Sequence, residues 1–271
     1  MLLAIAVSAR AQRGAHVAAD AAAQTPAVST NPTYLFRSLS LDQEFDRLPL
    51  GLHTYTTTLS YTEPFRHAAN SLGISIPFAT AKPALPTGNN TAANTAANAG
   101  EPLTLSDITL KSQWIPYLAV RQGVLLTSSL TLPTSEDDRI GDGKWMITPS
   151  VAYARFPGPR LLIAQFFQQQ VSFAGPATRA AINRSDLDLY SVYSSRSLRW
   201  WINADLNLRI DEANHNRMPS SVTISYGRGL RTMLGGSLNA SVRSGAGIGR
   251  DRPYDFIVAA GISLVGIHRS R

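Results

Sequence analysis

The sequence predicts an all-β fold: a transmembrane antiparallel β-barrel of about twelve strands, apolar outside and polar within. Three observations predict it. Apolar and polar residues alternate over runs of about a dozen residues, longer than the ~5–6 of globular strands and matched to the ~9–11 of a tilted membrane strand. Tight and long connections alternate over the last two-thirds of the chain, as periplasmic turns and outer loops do. Charged residues amount to only 16%, although the hydrophobic share of 44% is ordinary.

The elements follow in order. Leu2 to Val7 is a short apolar run, and Ala9-Arg10-Ala11 is a small-x-small box of the kind signal peptidase cuts. Residues 1–11 are therefore expected to be a clipped signal peptide, and the alanine-rich, pattern-poor stretch 12–33 a flexible periplasmic leader. The barrel is expected over 34–267, with a basic tail at 268–271. Tyr34–Asp46 and Leu52–Glu63 are the first candidate strands. Leu72, Ile74, Ile76 and Phe78 alternate with Gly73, Ser75 and Pro77, where Pro77 weakens a central-strand reading. Thr80–Gly100, with Pro83, Pro86, Gly88 and an Asn/Thr/Ala tract, cannot bury a face and reads as a long flexible loop.

Beyond it the alternation is regular. Leu118, Val120, Val124, Leu126, Leu130 and Leu132 share one parity, and Trp145, Ile147, Val151 and Tyr153 another run. In the longest run, Leu198, Trp200, Ile202, Ala204, Leu206, Leu208 and Ile210 alternate with Arg199, Trp201, Asn203, Asp205, Asn207, Arg209 and Asp211. The second set needs water or mutual pairing, the first needs lipid or protein. Val222, Ile224 and Tyr226, then Leu234, Leu238 and Val242, then Tyr254, Phe256, Val258, Ile262 and Leu264 continue the pattern. Tight turns are expected at Ile115-Pro116, Pro157-Gly158-Pro159, Ser197 and Leu230-Arg231. Longer loops are expected at Pro133–Lys144, Ala174–Ser185, Glu212–Pro219 and Gly245–Pro253.

Composition sets further bounds. No stretch reaches the ~18 apolar residues of a transmembrane helix, so a membrane-spanning form must be a closed barrel. The net charge of +7 is nearly all arginine: lysine occurs only at Lys82, Lys111 and Lys144, and 25 − 3 leaves 22 arginines. They are scattered without a basic run, so nucleic acid is not an expected partner. Cysteine is absent, which removes disulfides and thiolate metal sites.

Ser106-Asp107-Ile108-Thr109-Leu110, Leu130-Thr131-Leu132-Pro133-Thr134, Gly141-x-Gly143-x-Trp145 and Pro149 form a spaced series, joined later by Gln165-Phe166-Phe167 and Trp200–Asp211. This series resembles the outer-membrane channel-like transporter family labelled "MetA-pathway of phenol degradation". The resemblance implies a twelve-stranded barrel in the outer membrane of a Gram-negative bacterium, passing small organic molecules. The ending Gly266-Ile267-His268-Arg269-Ser270-Arg271 lacks the terminal aromatic common in such barrels.

Candidate sites follow. Arg121, Arg199, Asp205, Asn207, Arg209, Asp211, Asn239 and Arg243 are candidate lumen-lining residues. They either favour anionic or polar solutes or pair across strands and fill the pore. Trp114, Trp145, Trp200, Tyr226 and Tyr254 are candidate interfacial aromatics. His53 with Thr56–Thr58 and Ser60 is the one grouping that hints at a hydrolase. The other histidines, His16, His67, His215 and His268, show no metal spacing. Glu136, Asp137, Asp138 and Asp142 could hold a hard cation but read better as a solvated loop. Gly245-Ala246-Gly247-Ile248-Gly249 reads as a flexible turn, since no helix can follow it. No catalytic residue, metal or cofactor is assigned. Outer-membrane lipids and a small solute are the expected partners. A channel is the leading expectation, with a lipid-modifying enzyme or a non-conducting adhesin or scaffold as alternatives.

Overall fold

The computed structural model describes residues 34–49, 52–66, 69–80, 102–135, 137 and 140–267. The expected signal peptide, leader and basic tail, and the 80–100 loop beyond Thr80, lie outside the described residues.

The chain runs as β1 (Ser38–Arg47), β2 (His53–Phe65), β3 (Asn70–Ala79), β4 (Thr104–Leu105), β5 (Thr109–Ala119), β6 (Gln122–Thr131), β7 (Trp145–Gly158), β8 (Leu161–Ala174), β9 (Asn183–Ser194), β10 (Trp200–Asp211), β11 (Ser220–Met233), β12 (Gly236–Ile248) and β13 (Phe256–Val265). Apart from β4 and β5, each strand pairs antiparallel with its neighbours in sequence, and β1 closes on β13 from Ser38↔Val265 to Arg47↔Phe256. β4 and β5 both lie against β3, so they are two pieces of one position in a ring of twelve. The break between them has a cause. Pro77 has no N–H to offer on that side, and the chain opposite departs there, leaving one bond from the Ser106 N–H to the Pro77 carbonyl at 2.8 Å. Pro77 thus sits inside a strand paired on both sides, and the cost falls on its neighbour.

Closure matters because it removes the edge strands. Backbone groups are thereby paired strand to strand around the ring, which lipid demands. Outward positions carry the apolar parity: Leu39, Leu41, Ile147, Phe167, Leu189, Ile224 and Val258 are all exposed. So continuous an apolar belt fits acyl chains and would aggregate in water. Aromatic rings mark both borders of the belt. Phe45, Tyr55 and Phe256 meet at the long-loop end, where Trp145 also meets Phe173. Tyr193, Trp200 and Tyr226 form a row at the tight-turn end.

The turns at 159–160 and 196–197 fall where the sequence indicates. Two others do not. Ile115-Pro116 lies within β5 as a bulge between Trp114 and Tyr117, and the turn comes at 120–121. Leu230-Arg231 lies within β11 at a second bulge, and the turn comes at Leu234 and Gly235, whose φ values of 52° and 75° suit a two-residue hairpin. At β5 the extra residue accompanies Pro116, which cannot donate to the ladder, and at β11 it is Leu230, directly after Gly229. The β5 bulge also reverses parity, so Leu118, expected outside, packs inward against Ile115 and Leu125. Leu198, in the β9–β10 turn at φ 54°, likewise packs inward. Gly245–Ile248 is not a turn but the end of β12. A Cβ at Gly245 would lie 2.4 Å from the Val222 carbonyl, so glycine there permits close approach. Finally, the first strand starts at Ser38, not Tyr34.

Candidate channel lumen

The inward parity of each strand builds the inner wall, and the pairing registers stack these residues in rings. Asp205 sits beside Thr223 and Tyr190, and Arg243 beside Ala259 and Ser225. Two glycines make room for inner side chains. A Cβ at Gly227 would fall 2.1 Å from the Trp201 indole, which lies flat on the wall there, and one at Gly261 2.1 Å from an Asp42 oxygen.

The lumen divides along its axis. Its tight-turn half is apolar. Ala154, Leu162, Ala164, Val192 and Trp201 form one buried cluster, with Phe156, Phe166, Tyr190 and Leu198 against it. Leu35, Ile115, Leu125 and Ala152 form a second, and Phe166 touches both. Leu35 precedes β1, whose ladder partners are β2 and β13, yet it packs on β5, β6 and β7. The segment leading into β1 therefore crosses the lumen and narrows it. The sequence hides this, because the short apolar run Tyr34-Leu35-Phe36 reads equally well as the start of a buried strand.

The long-loop half is polar. Asp186 is fully buried and accepts from the Arg209 guanidinium, with one contact at 3.3 Å, and from Gln168 Nε2 at 2.9 Å. Arg184 pairs with Asp211 at 3.5 Å. Asn207 donates to Asp188, and Arg243 pairs with Glu44. Asp42 and Asp46 share the inner face of β1 with Glu44. One carboxylate oxygen each of Asp46 and Asp205 has no protein partner among the described residues. A buried carboxyl oxygen in that position calls for a water or a proton, and with the ion pairs around it makes this half of the wall polar.

Each expected lumen residue can now be placed. Asp205, Asn207, Arg209 and Asp211 line the inner face of β10, and Asn239 and Arg243 that of β12. Arg121 and Arg199 do not join them: both are exposed in tight turns. Sequence reasoning missed the carboxylates opposite, namely Asp42, Glu44 and Asp46 of β1 and Asp186 and Asp188 of β9. Their alternation, Asp42-x-Glu44-x-Asp46 and Asp186-x-Asp188, was the signal. As a result the wall is mixed in sign rather than arginine-rich. Of the aromatic candidates, Trp114, Trp145, Trp200 and Tyr226 face outward. Tyr254 lies in the β12–β13 loop and hydrogen-bonds Ser221 of the inner wall, where burial raises its phenol above the usual tyrosine value.

The remaining groupings separate. His53 packs against Phe45 and Tyr55 on the outer surface, whereas Ser60 bonds Ser75 at 3.0 Å on the inner parity. Of the acidic β6–β7 loop, Glu136 and Asp138 lie outside the described residues, and the described part wraps the Asp107 carboxylate. Asp107 accepts backbone N–H groups from Ser135 at 3.2 Å, Asp142 at 2.6 Å and Gly143 at 2.9 Å. Among the described residues no three His, Asp or Glu groups converge as a metal site.

A closed, twelve-position antiparallel barrel with charged residues on its inner face and an apolar outer belt is the architecture of outer-membrane channels and porins. The solved structures it resembles are of that class. The COG4313 outer membrane channel from Pseudomonas putida F1 matches 87% of this chain and 98% of its own, with a TM-score of 0.66 at 12% identity. The NanC porin matches 85% and 100%, with 0.57 at 12% identity, and the KdgM porin 84% and 98%, with 0.55 at 8% identity. No family model and no curated protein matches the sequence.

Proposed function

We propose that the protein is a channel of the Gram-negative outer membrane through which small solutes diffuse passively, without covalent chemistry. One observation carries this reading: a closed wall, apolar outside, encloses a charged vestibule that leads into an apolar throat. The likeness in fold to channels and porins supports it. Phe166, Tyr190 and Trp201 line the throat, which favours small organic or aromatic solutes over bare ions. The finer likeness to the phenol-degradation family rests on the motifs around Leu105–Val151 alone. Residues 1–11 as a signal peptide and 12–33 as a periplasmic leader fit an outer-membrane address.

Planar-bilayer recording tests the proposal. Purified protein should give discrete single-channel steps, and liposomes carrying it should swell in small sugars and aromatic acids. Silence in both assays, from protein shown to be folded and inserted, refutes it.

A further inference from the structure

Where the barrel opens at its long-loop end, the inner ends of β9 and β10 and the loops after β10 and β12 enclose a cavity of about 520 Å³. This is within the ~300–1,000 Å³ of small-molecule sites. Its lining holds five guanidinium groups, from Arg184, Arg209, Arg217, Arg250 and Arg252. Three of these are occupied: Arg184 by Asp211, Arg209 by Asp186 and Arg252 by Asp255. Arg217 and Arg250 have no carboxylate partner among the described residues. Of the acids lining the cavity, Asp211 is taken by Arg184 and Asp251 is exposed.

Arg217 is also held in place. Its backbone forms a β-bridge with Asp211, the Asp211 N–H donating to its carbonyl at 2.8 Å, and its own N–H reaches the Asn214 carbonyl at 3.2 Å. Pro219 and Pro253 stiffen the two loops on either side. The guanidinium carried by this anchored backbone is a planar fork that matches a carboxylate or phosphate in two-point contact. The paired arginines behind it are neutralised by their carboxylates, so the excess positive charge of the cavity comes from Arg217 and Arg250.

We infer that this vestibule is a binding site for a soluble organic anion bearing at least two carboxylate or phosphate groups, gripped by Arg217 and Arg250. The inference deepens the channel reading, and it rests on that reading only in making the anion a passenger. The cavity lies inside the mouth, on the lumen side of β9 and β10, so the anion arrives from solution and not as a lipid headgroup.

Isothermal titration of citrate into detergent-solubilised full-length protein at low salt tests the site whether or not the barrel conducts. Wild type should bind saturably, and R217Q/R250Q should weaken binding by about tenfold or more. R196Q, which removes an exposed arginine from a tight turn at the opposite end, should bind as wild type does. The inference is overturned if citrate does not saturate, if the double variant binds normally, or if R196Q weakens binding equally. It is also overturned if lipopolysaccharide displaces citrate from wild type, which would make a headgroup phosphate the occupant. A sealed barrel that binds citrate sinks only the channel reading. A conducting barrel that ignores citrate sinks only the vestibule site.

Discussion

Asp186 is the most deeply buried charge described, with no exposed surface, and its partner Arg209 is 27% exposed along its side chain. Replacing Arg209 with Met leaves that carboxylate with a single donor, Gln168 at 2.9 Å. Breaking a buried pair from one side costs ~3–5 kcal/mol. The partial exposure of Arg209 and the surviving Gln168 bond put the expected loss at the lower end, about 3 kcal/mol, a factor of roughly 150 in the folding equilibrium. Asp186→Asn keeps the shape and removes the buried charge, so it should cost only about 1 kcal/mol. In the double variant nothing charged is stranded, and the loss should again be about 1 kcal/mol, a coupling of about 3 kcal/mol. Equilibrium urea unfolding in lipid vesicles, followed by tryptophan fluorescence, measures all four corners of this cycle. Additive losses, or an Asp186→Asn loss as large as that of Arg209→Met, would show that the pair does not hold this part of the wall.

Three further outcomes are expected. Arg243 faces Glu44, Asp42, Asp46 and Asp205, so Arg243→Ala should move the reversal potential in a salt gradient toward cation selectivity, and an unchanged potential would place the ion path elsewhere. Leu35→Gly removes the side chain that crosses to β5–β7 and should raise single-channel conductance without unfolding the barrel; equal conductance would mean that Leu35 does not narrow the path. Asp107→Ala strips an acceptor from three backbone N–H groups and should make the β6–β7 loop sensitive to protease while the strands stay protected.

Much of the barrel was legible because a strand between lipid and water must alternate with period two, and β10 shows this over its whole length. The turn at Gly158-Pro159 was legible because those residues favour reversal. Ile115-Pro116 carries similar residues, yet it forms a bulge. Local sequence marks a poor ladder position but does not say whether the chain turns or absorbs it. For the site, Asp205 to Asp211 were found by parity alone, while Arg121 and Arg199, on a matching parity, fell one or more residues beyond a strand end.

Taken by itself, the sequence determined the class of fold, its approximate strand number and which face of most strands meets lipid, since these follow from residue spacing and from the alternation of turns and loops along the chain. Only the tertiary structure decided which charges neutralise each other, that Leu35 crosses the lumen, and that two arginines from separate loops share one vestibule. Those facts depend on register and closure, which bring together residues far apart in the chain, as β1 meets β13 and Asp186 meets Arg209.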